Sequence, residues 1–277
     1  MTQQTMTQHS SDDSLSTGPG QPDRGEPADG APMVWMDHVT MRYGERVVLD
    51  DLELTVPRGK VTVVMGGSGH GKSTILKLIV GFMAPAAGRI LIDGQNVLEL
   101  SEVERLEVQK KIGMSFQYSA LFDSMSVYEN CAFPLREHTR LREGEIRERV
   151  RDILNRLGLP GSEDEMPSEL SGGMRKRVGV ARAIMMQPTI MLFDEPESGL
   201  DPITTTAIGK LIMEMRDNFH ITCLVISHNL ASTMMVGDKV CMLYKGRIIA
   251  EGTPDELHDN PDPVLQQFLH GRAEGPY

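Results

Sequence analysis

The residues best suited to hold a phosphate form one glycine-rich segment, Gly66-Gly67-Ser68-Gly69-His70-Gly71-Lys72-Ser73, followed by Thr74. It follows the apolar run 61–65, which predicts a buried strand, and leads into 74–80, which predicts a helix. Glycines let backbone N–H groups turn toward a phosphate without a Cβ in the way, and the helix start adds partial positive charge. At these positions a lysine reaches the β- and γ-phosphates and a serine hydroxyl can bind Mg²⁺. The segment therefore predicts a nucleoside-triphosphate site.

A second group of residues, further along the chain, could act on that nucleotide. Ser171, Gly172 and Gly173 precede a predicted helix and form a second potential anion site. The apolar run 190–193 ends in Asp194-Glu195, where one carboxylate can bind Mg²⁺ and its neighbour can orient an attacking water. A further apolar run, 222–226, ends at Ser227-His228, whose imidazole could sense a γ-phosphate. Each piece is weak alone, but their order behind the glycine-rich segment makes coincidence improbable.

This order and spacing resembles the ABC-type ATPases. The resemblance assigns the following segments: Walker A at 66–73, the signature at 170–174, Walker B at 190–194, catalytic Glu195, the D-loop at 198–201 with Asp201, and the switch His228. It also implies that Gln117, at the Q-loop position, binds ATP and joins Ser73 and Asp194 around Mg²⁺. Tyr43 lies where an aromatic ring stacks on adenine, and a strand-edge tyrosine without that role remains its alternative.

Composition limits the class of protein. The net charge of −11 disfavours nonspecific binding to nucleic acid or anionic lipid. Residues 1–32 hold five acidic residues against Arg24 and are rich in Ser, Thr, Gln, Gly and Pro, which predicts a disordered acidic tail. No apolar run approaches the roughly 18 residues of a membrane span, so we expect any membrane role to depend on a partner. The three cysteines lack metal-binding spacing and are expected to be free thiols.

Hydrophobic periodicity predicts the elements that position these residues. Residues 33–65 alternate like antiparallel strands, 101–165 are mostly amphipathic helix, and strands alternate with helices over 189–236 as in a parallel sheet. A hairpin is expected over 240–250. With the resemblance, this predicts an α/β fold: a RecA-like P-loop NTPase core of ABC type with an antiparallel β subdomain and an inserted helical subdomain. We expect the ATPase domain at 33–254, with the helical subdomain at about 101–187.

Three stretches resemble a narrower group, the MlaF-like ATPase subunits of MCE-type lipid transporters. They are 118–135, 201–204 (Asp201-Pro202-Ile203-Thr204) and 260–276, which begins Asn260-Pro261-Asp262-Pro263. The resemblance implies an ATP- and Mg²⁺-dependent subunit that moves phospholipid with an MlaE-like permease and MCE-domain proteins. It would lie on the cytoplasmic face of the inner membrane, peripheral through the permease. The alternatives are an ABC ATPase subunit for another small solute, and a soluble ABC ATPase of DNA repair or translation.

Two surfaces are expected to meet partners. Two copies should act together, because a signature helix cannot reach the P-loop of its own subunit. The segment 118–135 is expected to receive the permease, with packing inside the helical subdomain as its alternative; the apolar residues concerned are Leu121, Phe122, Val127, Phe133 and Leu135. The C-terminal extension 255–277 places Val264, Leu265, Phe268 and Leu269 on one helical face. We expect that face to contact the second copy, and docking on its own subunit is the alternative.

Overall fold

The computed structural model describes residues 30–277, so most of the predicted acidic tail lies outside the described residues. The strands are β1 (Val34–Tyr43), β2 (Arg46–Val56), β3 (Val61–Met65), β4 (Ala87–Ile92), β5 (Gln95–Asn96), β6 (Ile112–Ser115), β7 (Ile190–Asp194), β8 (Thr222–Ser227), β9 (Lys239–Tyr244) and β10 (Arg247–Gly252). The helices are α1 (Lys72–Val80), α2 (Glu102–Gln109), α3 (Val127–His138), α4 (Glu143–Arg156), α5 (Gly172–Ile184), α6 (Pro202–Phe219), α7 (Leu230–Val236), α8 (Pro254–Asp259) and α9 (Pro263–Leu269). Within residues 30–277, no helix combines the length and apolar character needed to cross a membrane.

A six-stranded sheet in the order β10-β9-β3-β8-β7-β6 carries the residues expected to do chemistry. Strand β3 pairs in parallel with both β8 and β9, and β7 pairs in parallel with both β6 and β8. The predicted hairpin closes the sheet, since β10 runs antiparallel to β9. Because parallel strands end at one edge, the segments that follow β3, β6, β7 and β8 meet there.

A second, antiparallel sheet in the order β2-β1-β4-β5 packs beside the first. Alternate residues of the central strands pack into two different hydrophobic cores, one on each face of the sheet. Val64, Leu192 and Leu224 pack with this second sheet and α1, whereas Val63, Phe193 and Val225 face the other helices. Successive side chains of a strand point to opposite faces, so strands buried on both sides are apolar throughout. The predicted α/β architecture with an antiparallel subdomain is therefore confirmed.

The helical subdomain is smaller than the predicted 101–187. Strand β6, at 112–115, lies inside that range but pairs with β7 in the main sheet. Val108 of α2 packs in the core that contains α1. The short strand follows Lys110-Lys111 and contains Gly113, so its sequence carries little strand signal. The inserted subdomain consists of α3, α4 and α5, whose facing apolar residues include Ile146, Val150 and Leu154.

The C-terminal extension docks on its own subunit. Asp262 caps α9 by accepting hydrogen bonds from the backbone N–H groups of Val264 and Leu265. Leu265 is fully buried, and Phe268 and Leu269 pack against the same core. The apolar face that we expected on the partner subunit is thus largely covered within this chain, which favours the alternative. A contact with the second copy through the remaining exposed side chains stays a prediction.

Leu265→Ala should lower the free energy of unfolding by about 2–5 kcal/mol, because it leaves a cavity where α9 meets the core. Val264→Ala, on the same helix but only half-buried, is the matched control and should cost less. Urea unfolding of the two variants measures the difference. Equal stability of the two variants would mean that α9 does not dock here in solution.

Candidate active site

The glycine-rich segment forms a tight loop between the end of β3 and the start of α1. Gly66 has φ 153°, and a Cβ there would lie 2.4 Å from the carbonyl oxygen of Leu243. Gly71 has φ 104°, and its Cβ would lie 2.8 Å from a methyl carbon of Leu49. Neither the backbone angles nor the space suit a side chain, so both positions require glycine. The loop is held between β2 and β9 with its shape fixed.

Beside this loop lies a cavity of about 420 Å³, which we call the P-loop pocket. Its lining residues are Tyr43, Arg46, Val48, Ser68, Gly69, Gly71, Lys72, Ser73, Thr74, Gln117 and Glu195. Eight of the nucleotide-binding residues predicted from the sequence are among them, and so is the predicted catalytic glutamate. The structure therefore gathers residues from four separate parts of the chain around one opening.

Lys72 is the buried cation of the P-loop pocket. Only 5 % of the residue is exposed, and its Nζ donates to the carbonyl oxygens of Gly66 and Gly67, each at 2.9 Å. Its Nζ also lies 3.8 Å from Oε1 of Glu195. Burial lowers the pKa of Lys72, and the nearby Glu195 and Asp194 carboxylates oppose that shift. An anion of high charge is the natural partner for such an ammonium group.

Ser73 and Asp194 meet as a pair of oxygen ligands. The hydroxyl of Ser73 donates to Oδ1 of Asp194 at 3.1 Å, although 121 residues separate them. Burial raises the pKa of Asp194, while the Ser73 hydrogen bond lowers it. A hydroxyl and a carboxylate are ligands that suit Mg²⁺, so this donor set fits the ion. Among the described residues, Gln117, the third predicted ligand, forms its side-chain hydrogen bonds with Glu195 and Ser198 instead.

Gln117 instead lies against the carboxylate of Glu195, the predicted catalytic residue. Its Nε2 donates to Oε2 of Glu195 at 3.3 Å and to Oγ of Ser198 at 3.2 Å. The other oxygen of Glu195 lies 3.3 Å from Nδ1 of His228. Glu195 has φ 44°, and its backbone N–H donates to the carbonyl of Ile226 on β8. The end of β7 is thus tied to the strand that carries His228, which brings both predicted catalytic side chains together.

The signature residues do not join the P-loop pocket of their own chain. Ser171 is the exposed N-cap of α5, and its Oγ accepts a hydrogen bond from the N–H of Met174 at 3.2 Å. A Cβ on Gly172 would lie near Leu200, in the predicted D-loop, and one on Gly173 would lie near Thr204, just after it. Asp201 caps α6, and hydrogen bonds from Thr204, the hydroxyl first, lower its pKa. Within one chain, the exposed serine at the start of α5 is therefore separate from the P-loop pocket.

Three residues of the predicted loop do not line the P-loop pocket, namely Gly66, Gly67 and His70. The carbonyl oxygen of Gly66 accepts from Lys72, as described above. Gly67 lies under the ring of Tyr277, since a Cβ there would come 2.1 Å from the Tyr277 hydroxyl. His70 packs between Tyr244 and Tyr277, with ring centroids 5.3 and 5.4 Å away. Tyr43 does line the pocket, half exposed, with its hydroxyl on Met83.

Sequence reasoning missed several residues of the site. Arg46 and Val48 line the P-loop pocket, and their nearness to Tyr43 in the sequence was the available signal. Glu197 is buried, and its Oε1 accepts a hydrogen bond from the hydroxyl of Ser227. Its other oxygen has no hydrogen-bond partner among the described residues. No pattern in the sequence distinguishes Glu197 from the acids beside it.

A central parallel sheet with a phosphate-binding loop after β3 and adjacent acids after β7 defines the P-loop ATPase class. Residues 49–198 match the family described as ABC transporter. The chain belongs to this family, whose ATP-binding subunits hydrolyse ATP to drive transport.

Two groups of relatives cover nearly the whole chain. The Escherichia coli intermembrane phospholipid transport system ATP-binding protein MlaF is 44% identical over 246 residues, which are 89% of this chain and 91% of MlaF. The Mycobacterium tuberculosis probable ribonucleotide transport ATP-binding protein mkl is 42% identical over 269 residues, which are 96% of this chain and 74% of mkl.

Solved structures confirm the fold. CbiO1 of Clostridium perfringens, part of the ABC transporter complex cbiONQ, superposes with a TM-score of 0.77 at 31% identity, covering 88% of this chain and 96% of cbiO1. MJ0796, a dimeric ATP-binding cassette bound to ADP and phosphate in a post-hydrolysis state, gives a TM-score of 0.73 at 30% identity, covering 80% of this chain and 99% of MJ0796.

Proposed function

We propose that this chain moves phospholipid by ATP hydrolysis, as one of two identical subunits under a membrane permease that works with MCE-domain proteins. The observation that carries the proposal is the 44% identity to MlaF, which spans 91% of that protein. The chain would sit on the cytoplasmic face of the inner membrane, held there by the permease. Both groups of relatives are described as transport proteins, which favours a transporter subunit over a soluble ATPase of DNA repair or translation.

The chemistry follows from the contacts in the P-loop pocket. Lys72 would exchange its two carbonyl partners for β- and γ-phosphate oxygens, since a charged acceptor binds an ammonium more strongly. Ser73 and Asp194 would hold Mg²⁺, which neutralises charge on the phosphates. Glu195 would orient the attacking water, with His228 beside it at the γ-phosphate. Tyr43 would stack on adenine at the open end of the pocket.

The second copy would complete each site. Ser171, Gly172 and Gly173 lie outside the P-loop pocket of their own chain, yet a serine and a helix start suit phosphate. Two copies facing head to tail would bring these groups over the nucleotide of the partner. Asp201 would then lie next to the interface between the two copies. MJ0796, similar over 80% of this chain, is a dimeric ATP-binding cassette, which supports a pair of copies here.

A groove of about 760 Å³ would receive the permease. Phe122 and Phe133 stand at its wall with 41% and 37% of their surfaces exposed and their ring centroids 5.2 Å apart. Val127 and Leu135, which we had expected on this surface, are fully buried in the core because they face the interior of the helical subdomain. Leu121 is partly buried and also packs against this core. Of the five apolar residues predicted for the surface, three therefore pack in the core and the two phenylalanines remain for a partner. An apolar cytoplasmic segment of the permease matches them.

A cysteine at Ser124 should crosslink to a cytoplasmic loop of the permease in the detergent-extracted complex. Ser124 is exposed, whereas Ser126 is the N-cap of α3 and should be left intact. Cys131, Cys223 and Cys241 are buried, and burial raises the pKa of each thiol to about 12, so they should stay unreactive. Glu148→Cys, on the exposed face of α4, is the control. Crosslinking of both variants to equal extent would count against this docking site.

Transport of a ribonucleotide is the second candidate, because mkl is described as a probable ribonucleotide transport protein. The two readings differ in what the assembled complex moves. The full chain, purified with its membrane partners, is reconstituted into vesicles of phosphatidylethanolamine and phosphatidylglycerol. We expect ATP-dependent transfer of a fluorescent phospholipid, absent with the Glu195→Gln subunit, and no ATP-dependent uptake of labelled ribonucleotide. Ribonucleotide uptake without lipid transfer would reject the phospholipid proposal.

A further inference from the structure

Helix α5 carries a buried lysine that the chemistry above does not use. Lys176 is only 6% exposed, and its Nζ donates to the backbone carbonyl of Gln117. Burial lowers the pKa of Lys176, while the charges of Glu197, Asp194 and Glu195 oppose that shift. Yet among residues 30–277 no carboxylate lies within the 4.0 Å of an ion pair with Lys176. Burying an ammonium without such a partner is costly, so its contact with the Q-loop needs a reason.

The same face of α5 holds the residues that follow Gln117. Arg182, six positions after Lys176, donates to the carbonyls of Ser119 and Ala120 at 3.0 and 2.7 Å. Those two residues have φ values of 62° and 46°, in the left-handed region that costs energy for non-glycine residues. Gly179 lies between the two cations, and a Cβ there would approach that of Ser119 to 3.3 Å. The backbone of residues 117–120 is thus held on α5 by hydrogen bonds from Lys176 and Arg182. Gly179, which has no side chain, leaves room for Ser119 between them.

The contacts between α5 and residues 117–120 are linked to Glu195 through the side chain of Gln117. The backbone of Gln117 is bound by Lys176, and the amide of Gln117 donates to Oε2 of Glu195 and to Ser198. Helix α5 begins at the signature, which would contact the nucleotide of the partner copy. A movement of α5 would therefore be carried to Glu195 through Lys176 and Gln117. Such a movement can reach Glu195 only if the Gln117 amide keeps a fixed orientation, and a backbone not held on α5 would let that amide turn.

We propose that Lys176 is a positioning residue for ATP hydrolysis: it locks the backbone of Gln117 to the signature helix and so sets the Gln117 amide against Glu195. The proposal rests on the proposed role of Glu195, and it gives Gln117 the role of orienting that carboxylate through their hydrogen bond. Lys176 is not among the residues that line the P-loop pocket. Its loss should therefore slow the chemical step and leave ATP binding intact.

Lys176→Met, which keeps the side chain's length and removes its charge, should lower kcat about tenfold. The affinity for ATP should stay within about twofold, since the P-loop pocket is unchanged. Lys210→Met, at an exposed position on α6, is the matched control and should change neither quantity. Lys176→Arg keeps a charged donor and should retain more of kcat than Lys176→Met. Full kcat in Lys176→Met would overturn the proposal.

A double-mutant cycle with Gln117→Ala separates positioning from a general structural role. If Lys176 acts through the Gln117 amide, Lys176→Met should cause little further loss of kcat in a chain that already carries Gln117→Ala. An equal loss with and without Gln117 would overturn the Lys176 proposal alone. Full kcat in the single variant Gln117→Ala would instead reject the proposed role of Gln117, and this inference with it. Should Lys176→Met not yield soluble protein, Lys176→Gln completes the same cycle with the same readings.

Discussion

Glu195→Gln should slow ATP hydrolysis by about 10²–10⁴-fold, the usual contribution of a general base. Oε2 of Glu195 accepts a hydrogen bond from Gln117, and Oε1 lies between His228 and Lys72, at 3.3 and 3.8 Å. An amide keeps the size of this side chain but cannot accept the proton of the attacking water. The Ser73–Asp194 pair is untouched, so ATP should still bind.

Steady-state phosphate release and equilibrium binding of ATP measure the two effects separately. Glu214→Gln makes the same chemical change at an exposed position of α6 and should behave like the unchanged protein. Hydrolysis by Glu195→Gln at near the original rate would remove Glu195 from the mechanism.

Lys72→Ala should weaken ATP binding by about 10- to 100-fold, the range expected for a lost hydrogen bond to a charged group. The ammonium of Lys72 is the buried cation of the P-loop pocket, and a triphosphate there would lose its partner. Lys72→Met fills the same volume without charge, so it separates the lost cation from a collapsed loop.

Lys77→Ala removes an exposed ammonium from the same helix, α1, and should leave the affinity unchanged. Calorimetric titration with ATP and Mg²⁺ compares the three variants. Unaltered affinity in both Lys72 variants would be incompatible with a phosphate-binding role for the loop.

Most residues around the P-loop pocket could be predicted from the sequence, because the order of the parallel strands brings their ends to one edge of the sheet. Asp194 and Ser73 are far apart in the chain, but each follows or ends a buried parallel strand of one sheet, so they meet at its edge. Whether an apolar side chain of a helix is buried or exposed was harder to predict. Val127 and Phe133 occupy the same helix and are equally apolar, yet one is fully buried and the other is not. Their separation depends on how α3 packs on α5, which a local pattern does not contain.

The contacts behind the site could not be predicted for a related reason. Lys176 is one of several basic residues after the signature, and Glu197 is one acid among three in 194–197. Their burial arises from long-range packing, since Gln117, just after β6, contacts Lys176, and Ser227, at the end of β8, contacts Glu197. Charged residues are almost always exposed, so composition argues against the arrangement that the structure has. Sequence motifs locate the nucleotide, and tertiary packing determines what supports it.

The central claim is that the signature of one copy completes the P-loop pocket of another. Sedimentation of the Glu195→Gln chain with ATP and Mg²⁺ tests this most directly, because slow hydrolysis should preserve the closed pair. We expect ATP to convert the protein to a dimer, and Ser171→Arg added to that chain to abolish the dimer while ATP still binds. A dimer of the same stability with Ser171→Arg would contradict a site shared between two copies.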